Sequence, residues 1–489
     1  LGHLKIAPKG INAITCQRNC RGVRGAPPPT PVIAGQARND GVDGVLEGAL
    51  ATVEGSIFMK IRIFGLLMAM FLVLAACGGG DGYVNGYNGE SGEPGDSPQV
   101  HGTVPYLTPP EPEPPEVSPQ QLLFLEDLEY MFYILEHNFP LFGAAERALG
   151  IDVQALKDNT RQRTLESEWS SSRTFFSALN NYFFNHFNFF GHLSLLNDFM
   201  YHLHLTSVGE AWVDVLDNPR SRQFYSNNPP GGMGDDGVWI VDGNVEVARV
   251  AEGVAQITIH SFSHHNMGPD KEIILPFLQS IGDYEHLIID IRGNGGGSSN
   301  FLPYVVMQYL IDEPISYRSY SFTMGGEHVR RFYGERHPWA GDDWDGDFFT
   351  PLPDGFLDRF SYMNPDDARI LEYHWYSVSY IYPSDNRVDF NGKIWLLVDR
   401  RNFSAADYAA VVTQQTGFAT IVGEPTGGAG IGWSPVVFAL PNTGIAGRFQ
   451  GVYVTCPLGR NGYEYTVQPD IFAQGAFFAV MELINSGDY

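Results

Sequence analysis

The chain has 489 residues, 44% of them hydrophobic and 13% aromatic, which is enough apolar surface for a large core and too much for a disordered polymer. Its 30 Lys/Arg against 56 Asp/Glu give a formal net charge of −26, and so acidic a chain repels phosphate backbones, excluding nucleic acid as a partner. Four cysteines, at positions 16, 20, 77 and 456, are too few and too scattered for a disulfide framework.

Residues 1–58 hold six Lys/Arg and four Asp/Glu and show no sustained periodicity; they are expected to lie upstream of the native start. The "CQRNC" within them offers two thiols at one spacing, half of a zinc site. "MKIRIFGLLMAMFLVLAAC", Met59 to Cys77, then places Lys60 and Arg62 before an apolar run and small residues before a cysteine, the layout of a secretory signal and too short for a comfortable membrane span. "LAAC" resembles the lipobox of bacterial lipoproteins, which implies lipidation of Cys77 and a location in the cell envelope, outside the cytoplasm. From Cys77 onward, 22 Lys/Arg face 52 Asp/Glu, a net of −30. The only further thiol is Cys456, which has no intrachain partner, so the fold must rest on its core.

Residues 77–117 are rich in glycine and then proline, forming a tether that reaches on the order of 100 Å. A folded region begins at Ser118: "SPQQ" supplies a helix cap, a proline at the first helical position and Gln121 to close a capping box. Leu125, Leu128, Phe132 and Leu135 follow at helical spacing, and a second aromatic-rich helix is expected over about 174–190. This sets a small α-helical domain at 118–205. From 206 to 489 the texture becomes one of short apolar runs, "VEVARV", "VAQITIHSF", "HLIIDI", "KIWLLVD", "FATIVG", "PVVFAL" and "GVYVT", separated by helical patterns. The alternation predicts an α/β core. An insertion rich in Tyr, Phe, Trp and Asp, about 312–391, is expected as a lid or rim over a cleft.

Two segments share one design. "HLIIDIRGNGGGSSN" is a buried-type strand, a glycine loop and then a helical face; "KIWLLVDRRNFSAADYAA" repeats it with a serine, Ser404, at the joint. Ser404 with Asp407 fits a capping box; alternatively Ser404 is a nucleophile on a sharp strand-to-helix turn. Two such turns side by side could aim backbone N–H groups at a developing oxyanion, with glycine letting the substrate approach the backbone. "RGNGGG" as a phosphate loop is disfavoured, because it lacks the Lys-Ser/Thr ending and convincing dinucleotide spacing.

"LIIDIRGNGGG", then "NFSAADYAAVVTQQTGFATIVGEPTGG", then "VQPDI" resemble, in that order, the tail-specific or C-terminal-processing serine peptidase family, which includes tricorn-type proteases. The likeness extends from about Ser118 to the C-terminus and implies a crotonase/ClpP-like α/β core of ββα units that cleaves peptide bonds with no cofactor or metal. It makes Ser404 the nucleophile, and the N–H groups of Ala405 and Gly296, with Gly295 as the second choice, the oxyanion hole. Many relatives pair the serine with a lysine in a segment like "GEPTFGKG"; here the segment reads "GEPTGGAG" and Ala429 stands at the lysine position. No PDZ module is recognisable. Tricorn-type members use instead a histidine from the N-terminal part and a later glutamate. "FFGHLSLL" then makes His192 the base, and "NGYEYTVQPD" makes Glu464 the polarising carboxylate. Gly191 replaces the serine beside the tricorn histidine.

The resulting expectation is a lipid-anchored serine endopeptidase acting on protein or peptide substrates through an acyl-enzyme. Two alternatives come from other classes: a surface protein of the same fold that binds peptides without cleaving them, and a solute-binding lipoprotein serving a transporter. The histidines of "HSFSHHN", His260, His264 and His265, lack the carboxylate spacing of a metal site, and "DDWDGD" at 342–347 lacks the closing glutamate of a calcium loop.

Overall fold

The structure is a computed structural model that describes residues 117–489 except 168, 208–213, 226–240, 337–348, 431 and 456–460. Cys77 and the segments before Val117, the acidic run at 342–347 and Cys456 lie outside the described residues.

Ser118 opens the first helix, Pro119–Asn138, as its sequence requires: its hydroxyl accepts from the Gln121 N–H while the Gln121 side chain accepts from the Ser118 N–H. Leu125, Leu128, Phe132 and Leu135 are all buried, each contributing roughly 1.5–3 kcal/mol of transfer free energy against the entropy of ordering. Phe124 stacks on Phe175 at 4.5 Å, joining this helix to the Ser172–Tyr182 helix. That second helix is shorter than the expected 174–190. After Tyr182 the chain passes through two 3₁₀ turns, Phe184–Phe187 and Phe190–His192, with positive φ at Asn188, Phe189, Gly191 and His192.

All seven apolar runs form strands. The main sheet has six, in the order Ile471–Phe472, Thr420–Gly423, Lys393–Val398, His286–Asp290, Val254–Ile259 and Val245–Ala251; every neighbouring pair is parallel except the last, an antiparallel hairpin. Side chains alternate between its faces. Leu287, Ile289, Leu396 and Val398 enter the large core, whereas Ile288, Trp395 and Leu397 pack with Ala476 and Val480 of the C-terminal helix, Ala476–Ser486. Burial on both faces is why "HLIID" and "WLLV" read as continuous apolar runs.

The expected domain boundary at 205 does not separate two cores. Residues 117–489 fall within one unit, and a single hydrophobic cluster runs from Phe124 through Ile289 to Phe449. Ser194–Leu195 pairs with Ala446–Phe449, which also pairs with Val436–Ala439 in a three-stranded antiparallel sheet. The buried Asp127 carboxylate accepts from the backbone N–H groups of Asn442 and Thr443, both at 2.8 Å, and from the Thr443 hydroxyl. Ordinary hydrophobic and hydrogen-bonding complementarity thus welds the helical segment to the far end of the chain. Nor is the 312–391 stretch only a rim: Ile315–Thr323 and Tyr373–Ile381 form the centre of a four-stranded antiparallel sheet with Thr350–Pro351 and the distant Tyr453–Thr455. Among the described residues no helix is long and apolar enough to cross a membrane.

Candidate active site

Strands His286–Asp290 and Lys393–Val398 are parallel neighbours, so the turns that follow them emerge side by side. Two asparagines lace these turns together. Asn294 donates to the Ile259 carbonyl at 3.1 Å and accepts from the Gly296 N–H at 2.9 Å. Asn402 donates to the Ile291 carbonyl and accepts from the Asp399 N–H at 2.6 Å. Both asparagines are fully buried. A Cβ on Gly296 would lie 2.6 Å from the Phe403 carbonyl, 2.8 Å from the Ala405 nitrogen and 2.9 Å from the Ser404 Cβ; with φ at +102°, the position admits only glycine without displacement.

Ser404 precedes the Ala405–Thr416 helix at φ 55° and ψ −124°, a sparsely populated region for an L-residue. It makes no side-chain cap. The other half of the expected capping box, Asp407, points away: its buried carboxylate accepts from the Thr426 hydroxyl and from the Gly430 N–H at 2.7 Å, and burial pushes its pKa up to about 6. It therefore holds the 426–430 segment, whose Gly428 carbonyl accepts from the Ser404 N–H at 3.0 Å. The strained turn instead aims the Ser404 hydroxyl at His192, with Nε2 and Oγ 3.1 Å apart.

His192 reaches this point through a left-handed turn at φ 55°, its N–H donating to the Phe189 carbonyl at 2.8 Å and its ring against Phe403 at 5.0 Å. Gly191, at φ +60°, lies so close to Phe139 that a Cβ would sit 2.6 Å from a ring carbon, so no serine fits there in this packing. The imidazole is buried, and Nδ1 has no hydrogen-bond partner. Burial first, then the charges of Arg448 and His204, pushes its pKa down to about 3, so the ring is neutral and Nε2 is free to accept a proton when Nδ1 carries the hydrogen.

Two expected partners take other positions. Glu464 makes no hydrogen bond to His192; its carboxylate accepts from Arg147 Nε and Nη2, each at 2.9 Å, and from Asn461 Nδ2 at 2.8 Å. Arg147 also pairs with the buried Asp367, so a guanidinium with two anionic partners holds Glu464 where sequence spacing alone could not foresee it. The Gly296 N–H, expected as an oxyanion donor, is already spent on Asn294. Gly296 serves close approach, while the exposed Gly295 has open space where a Cβ would point. Ala405 follows Ser404 as the first residue of its helix. Ala429, at φ 66° and buried, offers no base.

Sequence reasoning missed Asn294, Asn402 and Arg448. The asparagines had a signal, since "RGN" and "RN" recur in the two turns; Arg448 had none, because only strand pairing brings it beside His192. Among the described residues no group of three or more His, Cys, Asp or Glu is placed to hold a metal. His260 faces Glu246 at 3.4 Å on the surface, and His264 and His265 pack edge to face at 5.9 Å.

Residues 253–473 match the family model for Peptidase family S41, a span that contains Ser404, the glycine loop and Glu464 but not His192. Among solved structures the chain is similar to mature CPAF, at 16% identity over 75% of this chain and 97% of that one, with a TM-score of 0.49. It is similar to a lipoprotein from Streptococcus agalactiae at 13% identity, over 76% and 98% of the two chains, with a TM-score of 0.38. The photosystem II D1 C-terminal processing protease matches at 13% identity, over 73% and 94%, with a TM-score of 0.36. No curated protein matches.

Proposed function

We propose that the chain, whose residues 253–473 match the model for Peptidase family S41, is a serine peptidase of that family in which Ser404 and His192 are the catalytic pair. The observation that carries this reading is the 3.1 Å approach of His192 Nε2 to a Ser404 hydroxyl that caps nothing.

In the proposed reaction His192 Nε2 accepts the Ser404 proton as Oγ attacks the scissile carbonyl carbon, and the carbonyl electron pair moves onto oxygen. The N–H groups of Ala405 and Gly295 donate to that oxyanion, assisted by the N-terminal end of the Ala405–Thr416 helix dipole. Collapse of the tetrahedral intermediate breaks the C–N bond, and the imidazolium returns its proton to the leaving amine. Water then repeats the sequence on the acyl-enzyme, restoring the Ser404 hydroxyl. Neither Lys nor a bound group is needed for these proton transfers.

The substrate is a protein or peptide cut internally. The enzyme is exported and lipid-anchored at Cys77, a reading supported by the "LAAC" sequence and the Gly/Pro-rich tether after it. Labelling with a fluorophosphonate probe tests the pair: wild type should label on Ser404, while Ser404→Ala and His192→Gln should not at comparable times. Labelling that persists in Ser404→Ala moves the nucleophile elsewhere. Membrane fractionation tests the anchor, since Cys77→Ser should release the protein, and unchanged retention would refute lipid attachment at this residue.

A further inference from the structure

Phe403 and Ser404 are consecutive residues, and both touch the imidazole of His192. The Ser404 hydroxyl meets Nε2 at 3.1 Å, and the Phe403 ring lies 5.0 Å from the imidazole, tilted 51° to it. The backbone beneath the two is fixed from both sides. The Phe403 N–H donates to the Asn294 carbonyl at 3.4 Å, the Phe403 carbonyl accepts from the Ala406 N–H at 3.1 Å, and the Ser404 N–H donates to the Gly428 carbonyl. The histidine backbone is held as firmly: its N–H donates to the Phe189 carbonyl, and the Gly191 carbonyl before it accepts from the Gln450 N–H at 2.7 Å. What these bonds leave open is rotation of the imidazole about its Cβ–Cγ bond.

That torsion is broad in a histidine and roughly two-fold. In a serine–histidine pair it is commonly fixed by a carboxylate on Nδ1, which sets both the plane of the ring and its tautomer. Here Nδ1 is buried with no hydrogen-bond partner among the described residues, and the Glu464 carboxylate is held by Arg147 and Asn461. We propose that Phe403 is the positioning residue of the base, its ring fixing the imidazole plane where no carboxylate does, so that Nε2 points at the Ser404 hydroxyl. The separation and tilt fall in the range where aromatic rings attract. Packing against the flat ring selects the plane, and the hydroxyl then selects which edge of the imidazole faces it. The half-buried phenylalanine also covers the buried imidazole from water. Because nucleophile and orienting ring issue from one braced turn, a displacement of either carries the other with it.

This inference rests on the Ser404–His192 pair, and variants of Phe403 test it separately. Fluorophosphonate labelling of wild type, Phe403→Tyr, Phe403→Leu and Phe403→Ala is followed between about pH 4.5 and pH 8, with thermal denaturation of each. Phe403→Tyr keeps the ring and should label within about threefold of wild type. Phe403→Leu and Phe403→Ala should lower the limiting rate about 10- to 100-fold while the half-saturating probe concentration stays within about threefold, because the ring orients the base rather than holding the probe. The acid limb of Phe403→Ala should also move up toward 6.5 as water reaches the imidazole, its charged neighbours Arg448 and His204 being unchanged. If Phe403→Ala does not fold, Phe403→Leu, which keeps most of the buried volume, decides: a wild-type rate there overturns the proposal. An equal loss in Phe403→Tyr overturns it too, since that would mark a packing requirement rather than a ring against the base. Failure of the wild type to label counts against the catalytic pair instead. The His192 titration, read by NMR in Ser404→Ala with and without Phe403→Ala, then judges Phe403 alone, and an unchanged titration refutes its role.

Discussion

The burial of His192 makes a prediction that runs against the ordinary behaviour of imidazole. A solvated histidine titrates near 6.5, but here the protonated ring would place a charge in a buried site, beside Arg448 and without a partner at Nδ1, and its pKa falls to about 3. At about 1.4 kcal/mol per pH unit, the distance from 6.5 to about 3 penalises the resting imidazolium by on the order of 5 kcal/mol. Labelling of Ser404 by a neutral fluorophosphonate should therefore hold nearly constant from pH 8 to about pH 5, where a solvated base would already have lost most of its rate. The same displacement has a stability consequence. The unfolded chain takes up a proton near 6.5 while the folded one does not until about 3, so within that window the unfolded state binds more protons and stability falls as pH falls. At pH 5 the His192 contribution is a loss of about 2 kcal/mol relative to pH 7 or above. His192→Gln removes that contribution, and His328, whose pKa burial lowers to about 4, acts alike in both proteins and cancels. Urea unfolding at pH 7 and pH 5 should show the variant losing about 2 kcal/mol less than wild type. A labelling limb with its midpoint near 6.5, together with equal acid destabilisation of the two proteins, would refute the reasoning.

Three further variants probe the geometry. Gly296→Ala must drive the two turns apart, because its methyl would meet backbone atoms at 2.6 and 2.8 Å; kcat/KM should fall at least 100-fold, about 3 kcal/mol, and wild-type kinetics would show the turns are not in contact. Ser404→Gly should be inactive yet more stable by about 1 kcal/mol, since glycine accepts φ 55° and ψ −124° without the strain a side chain imposes. Thermal denaturation showing a loss instead would mean that Ser404 stabilises its helix after all. Glu464→Gln should weaken the contact with Arg147 and cost about 1 kcal/mol in chemical denaturation while leaving the pH profile of labelling unchanged; a displaced acid limb would restore Glu464 as the partner of His192.

What the sequence determined by itself is local or periodic. Ser118, Pro119 and Gln121 specify a helix start because their partners lie within three residues, and "HLIIDI" and "KIWLLVD" specify buried strands because an apolar run that short has few other stable uses. The repeated strand, turn and helix around Gly296 and Ser404 located the site for the same reason: each turn is encoded within a dozen residues. Whether Ser404 caps its helix or faces a base was not decided there, since "SAAD" satisfies both patterns; the φ of 55° and a histidine 212 positions away settled the direction of its hydroxyl. Tertiary structure alone decided the rest. Glu464 follows Ser404 at a family-like distance, yet Arg147, from 317 residues earlier, captures its carboxylate, because two complementary charges meet only when the helical segment folds onto the core. Arg448 and His192 become neighbours through the pairing of Ser194 with Arg448, a register set by strand geometry. Such long-range electrostatics carry no periodic signature, so the chain could announce its turns and the serine at their joint but not the charges that surround His192.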